Sequence, residues 1–134
     1  MDKKIKILVV DDEADARDLF KDLFSRKNYD VESASGGIEA IEMVDKVNPD
    51  AVLLDIRMPV MDGIEVLSKL KQKRPDLPVV MLTAYGYDDN LINKALESGA
   101  SGYISKNLPL AQIVHTFQTL LSTIPKKSGA EGGS

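Results

Sequence analysis

Short runs of aliphatic and β-branched residues recur along the chain, separated by stretches in which apolar residues repeat at helical spacing. Apart from Lys6 the three strongest runs are continuously apolar, a pattern typical of parallel strands buried on both faces of a sheet. They lie at residues 5–10, 51–54 and 79–82, and two weaker runs lie at residues 31–34 and 102–105. The sequence therefore predicts five strands.

Each predicted strand is followed by an amphipathic stretch whose apolar residues fall on one side of a helix. Asp62 is placed to cap the third helix, Gly99 to stop the fourth and Pro109 to open the fifth. Strict alternation of strand and helix predicts a doubly wound α/β sheet. The apolar stripes are Leu19, Phe20, Leu23 and Phe24; Ile38, Ala40, Ile41 and Val44; Ile64, Val66, Leu67 and Leu70; Leu91, Ile92, Ala95 and Leu96; and Ile113, Val114, Phe117, Leu120 and Leu121.

The composition fits one domain with a substantial core, since 43% of the 134 residues are hydrophobic and 28% are charged. The formal net charge of -4 argues against direct binding of nucleic acid, which would require a basic surface. We expect the domain to occupy residues 1–124. Residues 125–134, which are rich in Gly and Ser, are expected to form a flexible tail or a truncated linker.

The sequence contains no cysteine, which excludes disulfides, thiolate metal sites and a cysteine nucleophile. The absence of cysteine is also compatible with a reducing compartment. The longest apolar run near the N-terminus, residues 7–10, is too short for the core of a signal peptide or for a membrane span. A cytoplasmic location without membrane contact is therefore expected.

Candidate catalytic and metal-binding side chains directly follow the first, third, fourth and fifth predicted strands. Asp11 and Asp12 come after the first strand, Asp55 after the third, Thr83 after the fourth and Lys106 after the fifth. In open α/β sheets, ligands bind outside the carboxyl ends of the strands. The sequence therefore predicts that these side chains converge on one site.

The predicted cluster contains the groups that phosphoryl transfer to a carboxylate requires. Close carboxylates repel one another unless a cation lies among them, and oxygen ligands in this number suit Mg²⁺ or Mn²⁺. The central carboxylate, Asp55, can act as a nucleophile and form an acyl phosphate. Lys106 and Thr83 can bind the remaining phosphoryl oxygens.

Each of these residues also has an ordinary structural explanation. An acidic pair after a strand often belongs to a helix-capping loop, a lone Thr83 is typical of a helix cap, and a lone Lys106 is typical of a surface charge. Asp55 is harder to explain in this way, because a carboxylate after four apolar residues is costly to bury unless it is paired. The four strand ends taken together favour a phosphoryl site.

Four segments resemble, in order and in spacing, the receiver domain of bacterial two-component response regulators. They are ILVVDDE at residues 7–13, LLDIRMPVMDG at residues 53–63, VVMLTAYG at residues 79–86 and ESGASGYISK at residues 97–106. The resemblance extends over about residues 5–122. It implies a flavodoxin-like (βα)5 fold whose parallel strands follow the order 2-1-3-4-5.

The resemblance also implies how the acidic residues act. Asp55 would be the phosphoacceptor and would contribute to the metal site. Asp12 would bind Mg²⁺ directly, and Asp11 would bind it mostly through water. The backbone carbonyl of Arg57 would complete the protein ligands.

Further roles implied by the resemblance concern the phosphoryl group and the response to it. Lys106 would pair with the phosphoryl group, and the backbone N–H groups of Arg57 and Ala84 would complete its cradle. Thr83 would hydrogen-bond the group and move inward on activation. Tyr103 would then rotate inward as the second switch residue.

The resemblance makes the domain a signalling switch rather than an enzyme. A histidine kinase or phosphotransfer protein would donate the phosphoryl group. The face made by the fourth helix, fifth strand and fifth helix would bind an output domain, an effector or a second copy of the chain. We expect Arg57 and Tyr85 to overhang the phosphoryl group, restrict attacking water and slow autodephosphorylation.

One position departs from the family pattern, in which a proline, often with a cis peptide, follows the lysine. Here Asn107 follows Lys106, and Pro109 comes two residues later. A cis peptide before a non-proline residue is rare. Either the Lys106–Asn107 peptide is cis, or the loop is trans and directs Lys106 differently.

Three other classes of protein remain open at this point. A phosphatase of the haloacid dehalogenase type shares the Asp, Thr and Lys residues, but its nucleophile follows the first strand. A flavodoxin or nucleotide-binding protein shares the architecture, although acidic residues after the first strand would repel phosphate. The third class is a receiver-like module that binds partners without phosphorylation.

Overall fold

A computed structural model describes residues 4–56, 58, 60–83 and 89–123, and these form one sheet with helices on both faces. The elements in chain order are β1 (Lys6–Val10), α1 (Ala14–Arg26), β2 (Asp30–Ala34), α2 (Gly37–Val47), β3 (Ala51–Asp55), α3 (Gly63–Lys73), β4 (Val79–Thr83), α4 (Asp89–Glu97), β5 (Gly102–Ser105) and α5 (Leu110–Thr123). All paired strands are parallel and follow the order β2-β1-β3-β4-β5. This confirms the predicted flavodoxin-like architecture.

Alternate residues of the central strands enter two separate hydrophobic cores. On one face, Leu8 and Leu54 pack with residues of α2 and α3 such as Val66. On the other face, Val9 and Leu53 pack with residues of α1 and α5. Because both faces are covered, every residue of β3 and β4 is buried, which explains their uninterrupted apolar sequences.

The two strands with the weaker sequence signals, β2 and β5, form the edges of the sheet. Each is only partly buried, so fewer of its positions need apolar residues. Three helical residues that the apolar stripes included are instead exposed: Leu19, Ile38 and Leu96. In α1, for example, Phe20 and Phe24 fill the core and leave the adjacent Leu19 turned away from it.

The predicted helix boundaries agree with the structure. The Asp62 carboxylate accepts a hydrogen bond of 3.0 Å from the Glu65 backbone N–H and so caps α3. Gly99 follows α4 with φ 107°, a left-handed conformation that ends a helix at little cost only for glycine. Pro109 directly precedes α5, and its carbonyl accepts from the Ile113 N–H.

None of the helices in the described ranges is long and apolar enough to cross a lipid bilayer. The tail predicted at residues 125–134 lies outside the described residues.

Candidate functional site

The site lies where the carboxyl ends of four neighbouring strands meet. In the parallel registers Val10 pairs with Leu54, Asp55 with Leu82 and Thr83 with Ser105. The residues that end these strands, or directly follow them, therefore occupy one edge of the sheet. Asp11, Asp12, Asp55, Thr83 and Lys106 all reach this edge, as the sequence predicted.

Three carboxylates form a compact cluster at this edge. Asp11 is fully buried, Asp55 is 3% exposed and Asp12 faces solvent. Each contributes one oxygen to a set whose members lie within 4.8 Å of one another. Three anionic oxygens at this separation suit a hard divalent cation, and the exposed Asp12 keeps the cluster in contact with water.

Lys106 supplies a positive charge to the cluster. Its Nζ lies 2.8 Å from Asp55 Oδ2, 3.0 Å from Asp11 Oδ2 and 3.8 Å from Glu13 Oε1. Partial burial lowers the pKa of the Lys106 ammonium, but its hydrogen bonds and charge interactions with Asp55 and Asp11 raise that pKa further than burial lowers it. Lys106 therefore keeps its charge throughout the neutral range.

The loop that carries Lys106 has no need of the proline usual in the family. Among the described residues every peptide bond is trans, including Lys106–Asn107. The Lys106 N–H donates to the Thr83 carbonyl at 2.6 Å, and the Asn107 N–H, which proline would lack, donates to Ser105 Oγ at 3.1 Å. The trans loop thus places the Lys106 ammonium against Asp55.

Thr83 ends β4 with its hydroxyl buried, whereas Tyr103 lies on the edge strand β5. Within the described part of the chain, Thr83 Oγ1 has no hydrogen-bond partner. A buried hydroxyl without a hydrogen-bond partner destabilises the fold, and a ligand bound at the site can supply that partner. Tyr103 is 41% exposed, so in this structure its side chain has not moved inward.

Gly63, at the start of α3, forms the back of the site. A Cβ atom at this position would lie 2.5 Å from Ile56 Cα and 2.7 Å from the Asp55 carbonyl oxygen. The Gly63 N–H also donates to the Ile56 carbonyl at 2.9 Å. The sequence indicated only that Gly63 follows the helix cap Asp62, because the close approach of α3 to the Asp55 backbone depends on tertiary packing.

Arg17, one turn into α1, contacts the same loop and was not identified from the sequence. Its Nη1 donates to the Asp11 backbone carbonyl at 2.7 Å. The six-residue separation matches no local motif. The only sequence signal is a basic residue on the helix that follows the acidic pair.

The predictions for Arg57, Ala84 and Tyr85 fall outside the described residues. They include the Arg57 carbonyl as metal ligand, the two backbone N–H groups of the phosphoryl cradle and the two side chains predicted to control lifetime. These assignments stay predictions.

The fold and this edge of the sheet define a flavodoxin-like α/β domain with an acidic, lysine-containing pocket at the ends of its strands. Residues 7–118 match the family model of the response regulator receiver domain. The chain belongs to that family and is a response regulator receiver domain, a module of two-component signalling.

Two curated relatives illustrate the breadth of the family. The chain is 35% identical over 127 residues to the response regulator MprA of Mycobacterium leprae, an alignment that covers 95% of the chain and 55% of MprA. It therefore spans about half the length of that relative. It is 38% identical over 108 residues to sporulation initiation phosphotransferase F of Bacillus subtilis, covering 81% of the chain and 86% of that protein.

Solved structures agree with the sequence comparison. The chemotaxis protein CheY4 of Vibrio cholerae superposes with a TM-score of 0.82 at 26% identity, covering 88% of the chain and 99% of CheY4. The receiver domain of NtrX from Brucella abortus superposes with a TM-score of 0.78 at 31% identity, covering 87% of the chain and 98% of that domain. Family membership favours a receiver over the phosphatase and flavodoxin alternatives.

Proposed function

We propose that Asp55 accepts a phosphoryl group from a phosphohistidine on a histidine kinase or phosphotransfer protein in the cytoplasm. The observation that carries this proposal is the position of the buried Asp55 carboxylate. The Lys106 ammonium lies 2.8 Å from one of its oxygens, and the acidic pair offers two further oxygens within 4.8 Å. A buried nucleophile flanked by a fixed cation and a cation-binding pair suits phosphoryl transfer.

In the proposed reaction, an Asp55 oxygen attacks the phosphorus atom as the bond from phosphorus to the histidine nitrogen breaks. The leaving imidazole keeps the electron pair of that bond, and Asp55 becomes an acyl phosphate. The Lys106 ammonium would bind the transferred phosphoryl group and balance its negative charge. The Thr83 hydroxyl, which has no partner among the described residues, would donate to a phosphoryl oxygen.

Asp11, Asp12 and Asp55 would hold Mg²⁺ or Mn²⁺, with the Arg57 carbonyl as the fourth protein ligand. The donor set fits, because it offers only oxygen atoms and an exposed side through which bound waters can be kept. When bound, the ion supplies charge neutralisation for the phosphoryl oxygens. The single positive charge of Lys106 does not balance three carboxylates and an incoming phosphoryl dianion, so a divalent cation is needed as well.

Intact-mass measurement after incubation with a small phosphodonor tests the proposal. The wild type is expected to gain one phosphoryl group only with Mg²⁺ present, and Asp55→Asn to gain none. Asp76→Asn, which removes an exposed carboxylate between α3 and β4, should be labelled like the wild type. An Asp55→Asn protein that is still labelled, or an unlabelled wild type beside a labelled control receiver, would refute the proposal.

A time course after donor removal should show slow loss of the phosphoryl group, accelerated by Arg57→Ala and Tyr85→Ala.

We further propose that phosphorylation changes the face formed by α4, β5 and α5, and that this face binds the output partner or a second copy. Two exposed apolar side chains, Leu96 and Tyr103, support this assignment. The Thr83 carbonyl accepts from the Lys106 N–H, so a movement at the end of β4 reaches the end of β5 directly. Thr83 and Tyr103 would couple the site to the face.

The coupling predicts a change in amide hydrogen exchange over α4 and β5 when the wild type is phosphorylated. Thr83→Ala combined with Tyr103→Ala should retain the phosphoryl adduct but lose most of that change. Thr116→Ala on α5 removes a hydroxyl that donates to the Gln112 carbonyl within the same helix, and this variant should behave as wild type. A full exchange response in the double variant would show that the signal takes another route.

A further inference from the structure

Other residues hold the backbone of Asp11 at two points, one on each side of its Cα atom. The Asp11 N–H donates to the Ala34 carbonyl at 3.2 Å, which continues the pairing of β1 with β2. The Asp11 carbonyl accepts from Arg17 Nη1 at 2.7 Å. The peptide between Asp11 and Asp12 therefore has its orientation fixed by the Arg17 guanidinium.

Arg17 is also attracted, at longer range, by a carboxylate on a second helix. It is partly buried on α1, and its charge reaches Glu39 in the first turn of α2. The Ser35 backbone N–H and hydroxyl donate to the Glu39 carboxylate at 2.7 and 2.9 Å. These bonds lower the pKa of the Glu39 carboxyl against the effect of burial, and the charge of Arg17 lowers it further. An ionised Glu39 thus attracts the guanidinium that holds the Asp11 carbonyl.

We propose that Arg17 is a positioning residue for the divalent-cation site. By fixing the Asp11–Asp12 peptide, it keeps both attached carboxylates directed at the place where the cation binds, and so it raises the affinity for that cation. The inference rests on the proposed function, because it assumes that the acidic cluster binds Mg²⁺. It assigns Arg17 no contact with the phosphoryl group.

The sign of the effect separates positioning from simple electrostatics. A guanidinium close to a cation site repels the cation, so loss of its charge alone would tighten binding. Loss of the hydrogen bond to Asp11 would let the peptide rotate and would weaken binding. Residues that orient metal ligands typically change metal affinity by about tenfold or more when they are replaced.

The test is calorimetric titration of the intact 134-residue chain with Mg²⁺. Arg17→Met is expected to raise the Kd for Mg²⁺ about tenfold. Arg17→Lys, which keeps the charge and one donor group, should fall between Arg17→Met and the wild type. Arg26→Met is the matched control, because Arg26 lies on the same helix and its ion pair among the described residues is with the exposed Asp22 at 3.0 Å. Its Kd should equal that of the wild type.

The outcomes distinguish failure of the inference from failure of the proposed function. If the wild type binds Mg²⁺ and Arg17→Met binds it equally well or more tightly, the positioning role is wrong and the cation site stands. If the wild type binds none, the cation site fails and the positioning role fails with it. Should Arg17→Met not fold, Arg17→Lys decides alone, since its Kd must exceed that of the wild type.

Discussion

Alanine at position 63 is expected to lower the free energy of unfolding by about 3 kcal/mol. The added Cβ would lie 2.5 Å from Ile56 Cα, 2.7 Å from the Asp55 carbonyl oxygen and 2.8 Å from the Ile56 carbonyl oxygen. All three atoms belong to the backbone, so no side chain can rotate to make room. Either α3 or the end of β3 must move.

The same substitution should also disturb the site, because the displaced backbone carries Asp55. We expect Gly63→Ala to bind Mg²⁺ more weakly and to accept the phosphoryl group more slowly than the wild type. Urea unfolding measures the stability, calorimetric titration measures the affinity for Mg²⁺, and intact-mass measurement follows the rate of phosphorylation. Gly36→Ala is the control, since a Cβ there meets no described atom within 4 Å. Stability of Gly63→Ala within about 0.5 kcal/mol of the wild type would show that the close approach relaxes easily.

The sheet was predictable because its central strands are buried on both faces. That environment leaves an apolar run whose shortness and β-branched residues distinguish it from a buried helix. The residues of the pocket were predictable for a related reason. A polar residue directly after such a run must lie at the end of a strand, so Asp55 could be placed without knowledge of the tertiary structure.

Contacts between distant elements were not predictable in this way. The approach of α3 to the Asp55 backbone depends on how a helix lies over the sheet, and a sequence shows only that Gly63 follows a helix cap. The hydrogen bond from Arg17 to the Asp11 carbonyl joins α1 to the residue that follows β1, and no local sequence motif specifies it. The exposure of Leu19 was not predictable for the same reason. Helical spacing identifies the apolar face of a helix, but the neighbouring elements decide which residues of that face are buried.

Replacing Lys106 by methionine is expected to destabilise the domain by about 3 kcal/mol when no divalent cation is present. The substitution keeps the length of the side chain but leaves the carboxylates of Asp11 and Asp55 buried without the ammonium that now lies within 3.0 Å of each. A buried charge that has lost its partner costs far more than an exposed one. The raised pKa of Lys106 means that the wild type keeps this stabilisation at neutral pH and loses it only when strong alkali deprotonates the amine.

Addition of Mg²⁺ should recover much of the lost stability, because the cation neutralises the same two carboxylates. At about a hundredfold excess over its Kd, a ligand that binds only the folded state contributes about 2.7 kcal/mol. Loss of the neighbouring positive charge should also tighten Mg²⁺ binding, so the gap between Lys106→Met and the wild type is expected to narrow as Mg²⁺ rises. Thermal and urea unfolding of both proteins at a series of Mg²⁺ concentrations measure this difference in stability.

Lys71→Met provides the matched control for this experiment. Lys71 is also partly buried, but its Nζ donates to the Leu77 backbone carbonyl at 2.9 Å, and burial lowers its pKa. Its replacement should lower the free energy of unfolding by about 1 kcal/mol, and Mg²⁺ should not change that difference. A Lys106→Met deficit that Mg²⁺ leaves unchanged would mean that the ammonium and the cation do not share the carboxylates. The assignment of the acidic cluster as a magnesium site would then be wrong.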